Sequence, residues 1–186
     1  MFKNIPSPRD KNYYDTVLTQ SDNISTCGID KCNKKLGLYP KFCFIHTLIK
    51  NNMYISKSCI PNIGMGLFAG RKGFKKHDVI GKYSSDNNKI TFGELLKNNE
   101  KNTYERTKYI LCSLPKKNQK QKDVMCWDGL DIRSTLLRFI NDSYKTNYKN
   151  NTYFSIKNDE AYVIASDDIP PFHELYISYG NKYWID

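Results

Sequence analysis

No apolar run in the 186 residues approaches the ~18 that a helix needs to cross a bilayer, which excludes a helical membrane anchor within this sequence. The first residues, MFKNIPSPRDKNYYD, lack the apolar stretch of a secretory signal, so an intracellular protein is expected. Internal repeats are absent. Arginine is scarce, five residues against 24 lysines, and there are three histidines. Acidic residues are too few to balance the lysines: the formal net charge is +10 and the pI about 9.2. That charge attracts polyanions such as nucleic acid and disfavours basic partners at long range. A joint excess of lysine and asparagine also arises from an AT-rich genome, so basicity alone assigns no partner.

What is present suffices for a real core. Hydrophobic residues make up 39% of the chain, with nine Phe, 14 Tyr and two Trp. The length fits one sizeable domain with a small appendage. With no sign of export, the six cysteines read as reduced thiols or metal ligands rather than disulfides. Three of them fall in TCGIDKCNKKLGLYPKFCFIH, as Cys27-x4-Cys32-x10-Cys43-x2-His46. Two tight pairs of thiolate and imidazole ligands suit tetrahedral zinc, and a segment this short has little core of its own without a metal. The alternative is three buried cysteines beside an unrelated histidine. Cys59, Cys112 and Cys126 lie scattered in strand-like runs and read as core residues.

Along the chain, residues 1–25 read as a polar arm, 26–50 as a zinc-binding-like module, and 51–186 as the main domain. MYISKS, GLFAG, DVIGKY, KYILCSL, DVMCW, TYFSI, AYVIAS and LYISY are short strand candidates punctuated by Gly, Asn and Asp. Thr91-Phe92-Gly93-Glu94 has the form of a capping box ahead of one helix, and a second short helix or turn is expected over 133–140. The fold class is therefore α+β and β-rich. PKKNQKQKD, 115–123, reads either as a solvated hairpin loop or as a sequence-blind phosphate contact.

Three separated segments carry the functional signal. GMGLFA (64–69) places two glycines at spacing two. RFINDS (138–143) sets Arg138, Asn141 and Asp142 among apolar residues, where a buried polar group needs a partner, for an isolated asparagine most often a nearby backbone carbonyl. ELYISYG (174–180) opens an aromatic stretch that continues to Tyr183 and Trp184. In this order and spacing the three resemble the G-x-G-[LV]-F-A, R-F-x-N-H-S and E-L-x-x-x-Y-G segments of SET-domain protein lysine methyltransferases. The resemblance covers roughly residues 53–184 and is nearest to the small, minimal SET proteins, viral ones included.

The resemblance implies a fold of short strands with a pseudoknot joining 138–143 to 174–179, and a methyl transfer from S-adenosylmethionine to a protein lysine. It implies that the loop of Gly64, Met65, Gly66, Leu67 and Phe68 receives the methionine end of the cofactor. Arg138, Asn141 and Asp142 complete the cofactor site, with Asn141 bonding the cofactor and the Asp142 backbone reaching the adenine edge. Tyr183 and Trp184 close the pocket. Tyr179 is the active-site tyrosine, Tyr83 lines the lysine channel, and Ile177 and Phe154 border it. The implied target is a histone lysine, free or in a nucleosome, with nonspecific DNA contact as a further partner and a nuclear or chromatin-associated location. A reading of a different class is a non-catalytic chromatin or nucleic-acid binder that keeps the fold. Several positions depart from the family pattern. Asp142 stands where histidine is usual, and His173 replaces a glutamate. The Cys-x-Pro-Asn that ordinarily follows the serine is missing, with Asn147 or Asn151 as replacements for its asparagine.

Overall fold

The computed structural model describes residues 26–83, 89–99, 110–129 and 135–180. The arm over 1–25, and Tyr183 and Trp184, lie outside the described residues.

Helix α1 (Phe44–Asn51) leads into strand β1 (Met53–Lys57), which pairs antiparallel with β2 (Met65–Ala69). Asn52 ends α1 in the left-handed region, at φ 53°. Its side chain then ties down the next turn, donating to Gly73 O at 2.8 Å and accepting from Lys72 N at 3.1 Å. A second sheet orders β3 (Val79–Lys82), β8 (Glu160–Ala165) and β7 (Thr152–Lys157). Asn158 and Asp159 join β7 to β8, both at positive φ, as a tight two-residue hairpin requires. Strand β8 alternates, burying Ala161, Val163 and Ala165 and turning Glu160, Tyr162 and Ile164 outward.

The third sheet places β6 (Met125–Asp128) between β4 (Lys89–Thr91) and β5 (Ile110–Cys112). Strand β4, only three residues long, was not expected from sequence. The capping box is formed as read. Thr91 N donates to Glu94 Oε2 at 2.7 Å, Glu94 N donates to Thr91 Oγ1 at 3.2 Å, and helix α2 (Phe92–Asn99) follows. Lys82 and Lys89 both pair with Glu160, which clips β4 to the second sheet. The 115–123 run is the solvated β5–β6 hairpin loop, with Lys116, Lys117, Lys120 and Lys122 exposed.

Two cysteine readings are corrected. The β5–β6 register sets Cys112 directly opposite Cys126, and the two form a disulfide instead of remaining thiols. Cys59 is exposed rather than core, because it sits in the turn beyond β1.

The core gathers Tyr54, Ile55, Leu67, Trp127, Val163 and Leu175, each fully buried. Burial of one such aliphatic side chain contributes roughly 1.5–3 kcal/mol. Leu38, Tyr39 and Phe44 join this same cluster, so the 26–50 segment packs onto the strands. Tyr39 Oη accepts the Ile55 peptide N–H at 3.0 Å, and Phe44 meets Tyr54 edge to face.

The expected strand LYISY is absent as a ladder. Residues 172–177 instead make single bridges on three sides: Phe68 with Glu174, Asn141 with Tyr176, and Thr152 with Ile177. Leu175 N donates to Leu67 O at 2.8 Å, Ile177 N to Asn141 O at 3.0 Å, and Thr152 N to Tyr176 O at 3.0 Å. Segments distant in sequence thereby converge on one short stretch. No helix among the described residues is long and apolar enough to cross a membrane.

Candidate functional site

The N-terminal cluster is assembled by local geometry. Cys27 N donates to Lys34 O at 2.9 Å, and Cys32 N donates to Ile29 O at 3.0 Å in the turn between them. Cys43 occupies the N-cap position of α1 and His46 lies three residues on, so one helical turn presents both. The ligand atoms of Cys27, Cys32, Cys43 and His46 lie within 4.8 Å of one another. His46 Nδ1 is 3.1 Å from Cys27 Sγ and 3.5 Å from Cys43 Sγ, and the sulfurs of Cys32 and Cys43 are 4.0 Å apart. Tetrahedral zinc with Zn–S bonds of ~2.3 Å sets sulfurs about 3.8 Å apart, so the donor set and its spacing fit that ion. Burial pushes the Cys27 thiol up. The peptide N–H groups of Cys43 and Ile29, together with His46, outweigh it and bring the thiol down from 9.0 to about 6. Burial pushes Cys43 the other way, upward.

The second cluster centres on Glu174, 3% exposed. Its carboxylate accepts from Ser58 Oγ (2.7 Å), Cys59 N (2.6 Å), Asn141 Nδ2 (3.1 Å) and Tyr176 Oη (2.9 Å). Burial, and then the Glu174 charge, push the Tyr176 hydroxyl far above its usual range, so it stays protonated and donates. Asn141 gives its other carboxamide hydrogen to Met65 O at 3.0 Å. The two glycines of 64–66 differ in purpose. Gly64 sits at φ +94° with open space where a side chain would start, whereas a Cβ on Gly66 would overlap the Glu174 carboxylate.

Asp142, buried, uses one carboxylate oxygen on Tyr144 N (2.9 Å) and the other on Tyr179 N (2.7 Å). Tyr179 Oη donates to Ile140 O at 2.7 Å. Asn151 spans the same stretch, donating to Glu174 O at 2.9 Å and accepting from Tyr176 N at 2.8 Å, while Asn147 is exposed.

The remaining implied residues are placed as follows. Tyr83 and Phe154 meet edge to face, centroids 5.2 Å apart at 88°. Phe154 and Tyr179 both pack against the core that contains Tyr83. Ile177 is 2% exposed, inside that core. Leu67 and Phe68 are buried too, their side chains in the core and their backbone paired with β1 and with residues 174–175. Arg138 lies on a 3-10 turn (Leu137–Phe139), its guanidinium 5.4 Å from the Phe139 ring centroid. Sequence reasoning missed Glu174 as a hub, and with it Ser58 and Asn150. Asn150 Oδ1 accepts from Ser143 Oγ at 2.9 Å. The only available signal was a glutamate heading a recognised segment.

The family model described as SET domain matches residues 64–180. Among curated proteins no relative is found. A solved structure of Polycomb repressive complex 2 from Chaetomium thermophilum is 19% identical with a TM-score of 0.52, over 69% of this chain and 15% of that one. The same complex bound to S-adenosylmethionine in an autoinhibited conformation gives 19% and 0.51, over 69% and 15%. The methyltransferase domain of human PR domain-containing protein 2 is 21% identical with a TM-score of 0.50, over 74% of this chain and 84% of that one. This chain thus spans about 15% of the length of the Polycomb chains it resembles, and at such identities the likeness is one of fold. With the family model covering most of the chain and its three motif segments meeting around Glu174 and Asp142, the protein belongs to the SET-domain family.

Proposed function

We propose that this protein is an S-adenosylmethionine-dependent protein-lysine N-methyltransferase acting on a histone lysine. The observation that carries the reading is the meeting of all three motif segments in one hydrogen-bonded cluster: Met65–Gly66, Asn141–Asp142 and Glu174–Tyr179. The bonding of 172–177 on three sides also supports threading of the two later segments as a pseudoknot.

The cofactor would be held by the Gly64–Gly66 backbone, where Gly64 leaves open space, by Asn141, and by the Asp142 backbone. Bound there, it supplies an electrophilic methyl group on a sulfonium. The chain's own task is to deliver a neutral amine in line. A free lysine with pKa near 10.4 is neutral about once in 2,500 molecules at pH 7, a handicap of about 4.6 kcal/mol. The edge-to-face pair of Tyr83 and Phe154 supplies an apolar aromatic wall, and desolvation beside it lowers that pKa. Tyr179, anchored at its N–H and its hydroxyl, is stiff enough to orient the amine. No strong general base is required.

Zinc would be held by Cys27, Cys32, Cys43 and His46, where it stiffens the lead-in to α1 and β1. The exposed lysines of the β5–β6 loop suit phosphate contact, which favours nucleosomes over isolated tails and a chromatin setting.

The test is incubation with labelled S-adenosylmethionine and a panel of histones, nucleosomes and lysate proteins. Label on a histone lysine is expected. Cofactor binding with no transfer to any protein would leave the non-catalytic binder as the better reading.

A further inference from the structure

Glu174 is a buried acceptor surrounded only by donors. Ser58 Oγ, Cys59 N, Asn141 Nδ2 and Tyr176 Oη account for the roughly four lone-pair sites that a carboxylate offers. A residue needed only to fill that space could be apolar at less cost, since an ionised group is expensive to bury. Gly66 has no side chain at the point where one would strike this carboxylate.

The consequence falls on Asn141. A primary amide has two N–H groups, and here both are spent, one on Met65 O and one on Glu174 Oε1. Neither acceptor can become a donor. Turning the amide over would set its oxygen against two other oxygens, so a single orientation survives. Oδ1 is then the one polar atom that this side chain can offer a ligand, and it can only accept.

We propose that Glu174 is a positioning residue of the methyl-transfer site. It acts through Asn141, locking the carboxamide so that Oδ1 alone is presented to a donor on the bound cofactor, of which the ammonium group is the charged one. This rests on the reading of Asn141 as a cofactor-binding residue. Glu174 itself touches neither cofactor nor substrate. In Glu174→Gln one carboxylate oxygen becomes a donor that must oppose either the Cys59 N–H or the Asn141 amide, which loosens the lock on Asn141.

The experiment uses the full chain and two readouts. The first is hydrogen exchange of the Asn141 carboxamide protons by 15N-resolved NMR without cofactor. The second is titration calorimetry with S-adenosylmethionine. In the wild type both Asn141 protons should exchange slowly. Glu174→Gln should speed that exchange and weaken cofactor binding at least tenfold. Asn141→Ala should weaken it to a similar degree, and the double variant should match Asn141→Ala within about twofold, because Glu174 acts through Asn141. Losses that multiply in the double variant, or wild-type binding by Glu174→Gln, overturn the proposal. Should Glu174→Gln fail to fold, fast exchange of the Asn141 protons in the wild type overturns it alone. Slow exchange in a wild type that does not bind S-adenosylmethionine overturns the methyltransferase reading instead, since the lock is measured without the cofactor.

Discussion

Asp142 Oδ2 accepts the peptide N–H of Tyr179 at 2.7 Å, across 37 residues of sequence. The position where the family usually carries histidine thus holds a carboxylate that pins the tyrosine segment. The same stretch takes the other end of that residue, because Tyr179 Oη donates to Ile140 O. A tyrosine gripped at both ends by 140–142 has little freedom to wander.

Tyr179→Phe keeps the ring and the Asp142 contact and removes only the hydroxyl. Turnover should fall on the order of 10²-fold, with cofactor affinity unchanged. Initial rates and calorimetry on the folded variant check this, and wild-type turnover would end the assignment of Tyr179 to the site.

The two loop glycines should respond differently. Gly66→Ala drives a methyl group into the Glu174 carboxylate and should cost about 1–3 kcal/mol of stability together with cofactor binding. Gly64→Ala meets open space and costs about 1–3 kcal/mol of backbone strain at φ +94°, leaving the Glu174 network intact. Urea denaturation measures both losses, and hydrogen exchange of the Glu174 network separates them. A network whose protection from exchange survives in both variants would contradict the close approach at Gly66.

How much of this was legible beforehand depends on distance along the chain. The capping box of Thr91 and Glu94 could be read because its partners lie three residues apart. The hub could not. Glu174 draws its donors from 58, 59, 141 and 176, and nothing in ELYISYG says that the first residue faces the turn after β1. Cys112 and Cys126 looked like two core residues because only the β5–β6 register brings them together. The zinc-like spacing was legible, since each pair sits on its own tight turn.

Elemental analysis should find about one zinc per chain, lost in a Cys27→Ser, Cys43→Ser double variant. The Cys27 thiol is depressed from 9.0 to about 6, so its contribution is full above pH 9 and is lost as the pH falls through about 6. Metal retention should fall on acidification, with protons displacing the ion from its thiolate ligands. A natively folded protein isolated without metal would overturn the site.

The Cys112–Cys126 link closes a short loop, with a sequence separation of 14. Cross-links of that span contribute about 3 kcal/mol in the chain-entropy account. A mild reductant that spares the metal should therefore lower the urea midpoint, as should Cys112→Ser with Cys126→Ser. An unmoved midpoint in both would show that the link contributes nothing.

If DNA assists recognition through the β5–β6 lysines, initial rates on nucleosomes should exceed those on free histone peptides at moderate salt. The advantage should shrink as salt rises, and neutralising Lys116, Lys117, Lys120 and Lys122 should remove it. Equal rates on the two substrates at every salt concentration would redirect the search to a non-histone protein.

The bond from Ser58 to Glu174 closes a loop of 116 residues, which has a consequence for the order in which the molecule matures. Strands β1 and β2 are neighbours and can pair early, on a microsecond timescale. The turn that follows β1 must nevertheless keep its donors in water until residue 174 has been synthesised and has returned. Contacts of such long sequence separation form late and slow a domain's folding. A nascent chain halted before residue 174 can therefore pair its first two strands, but Ser58, Cys59 and Asn141 still lack the carboxylate that ties them together.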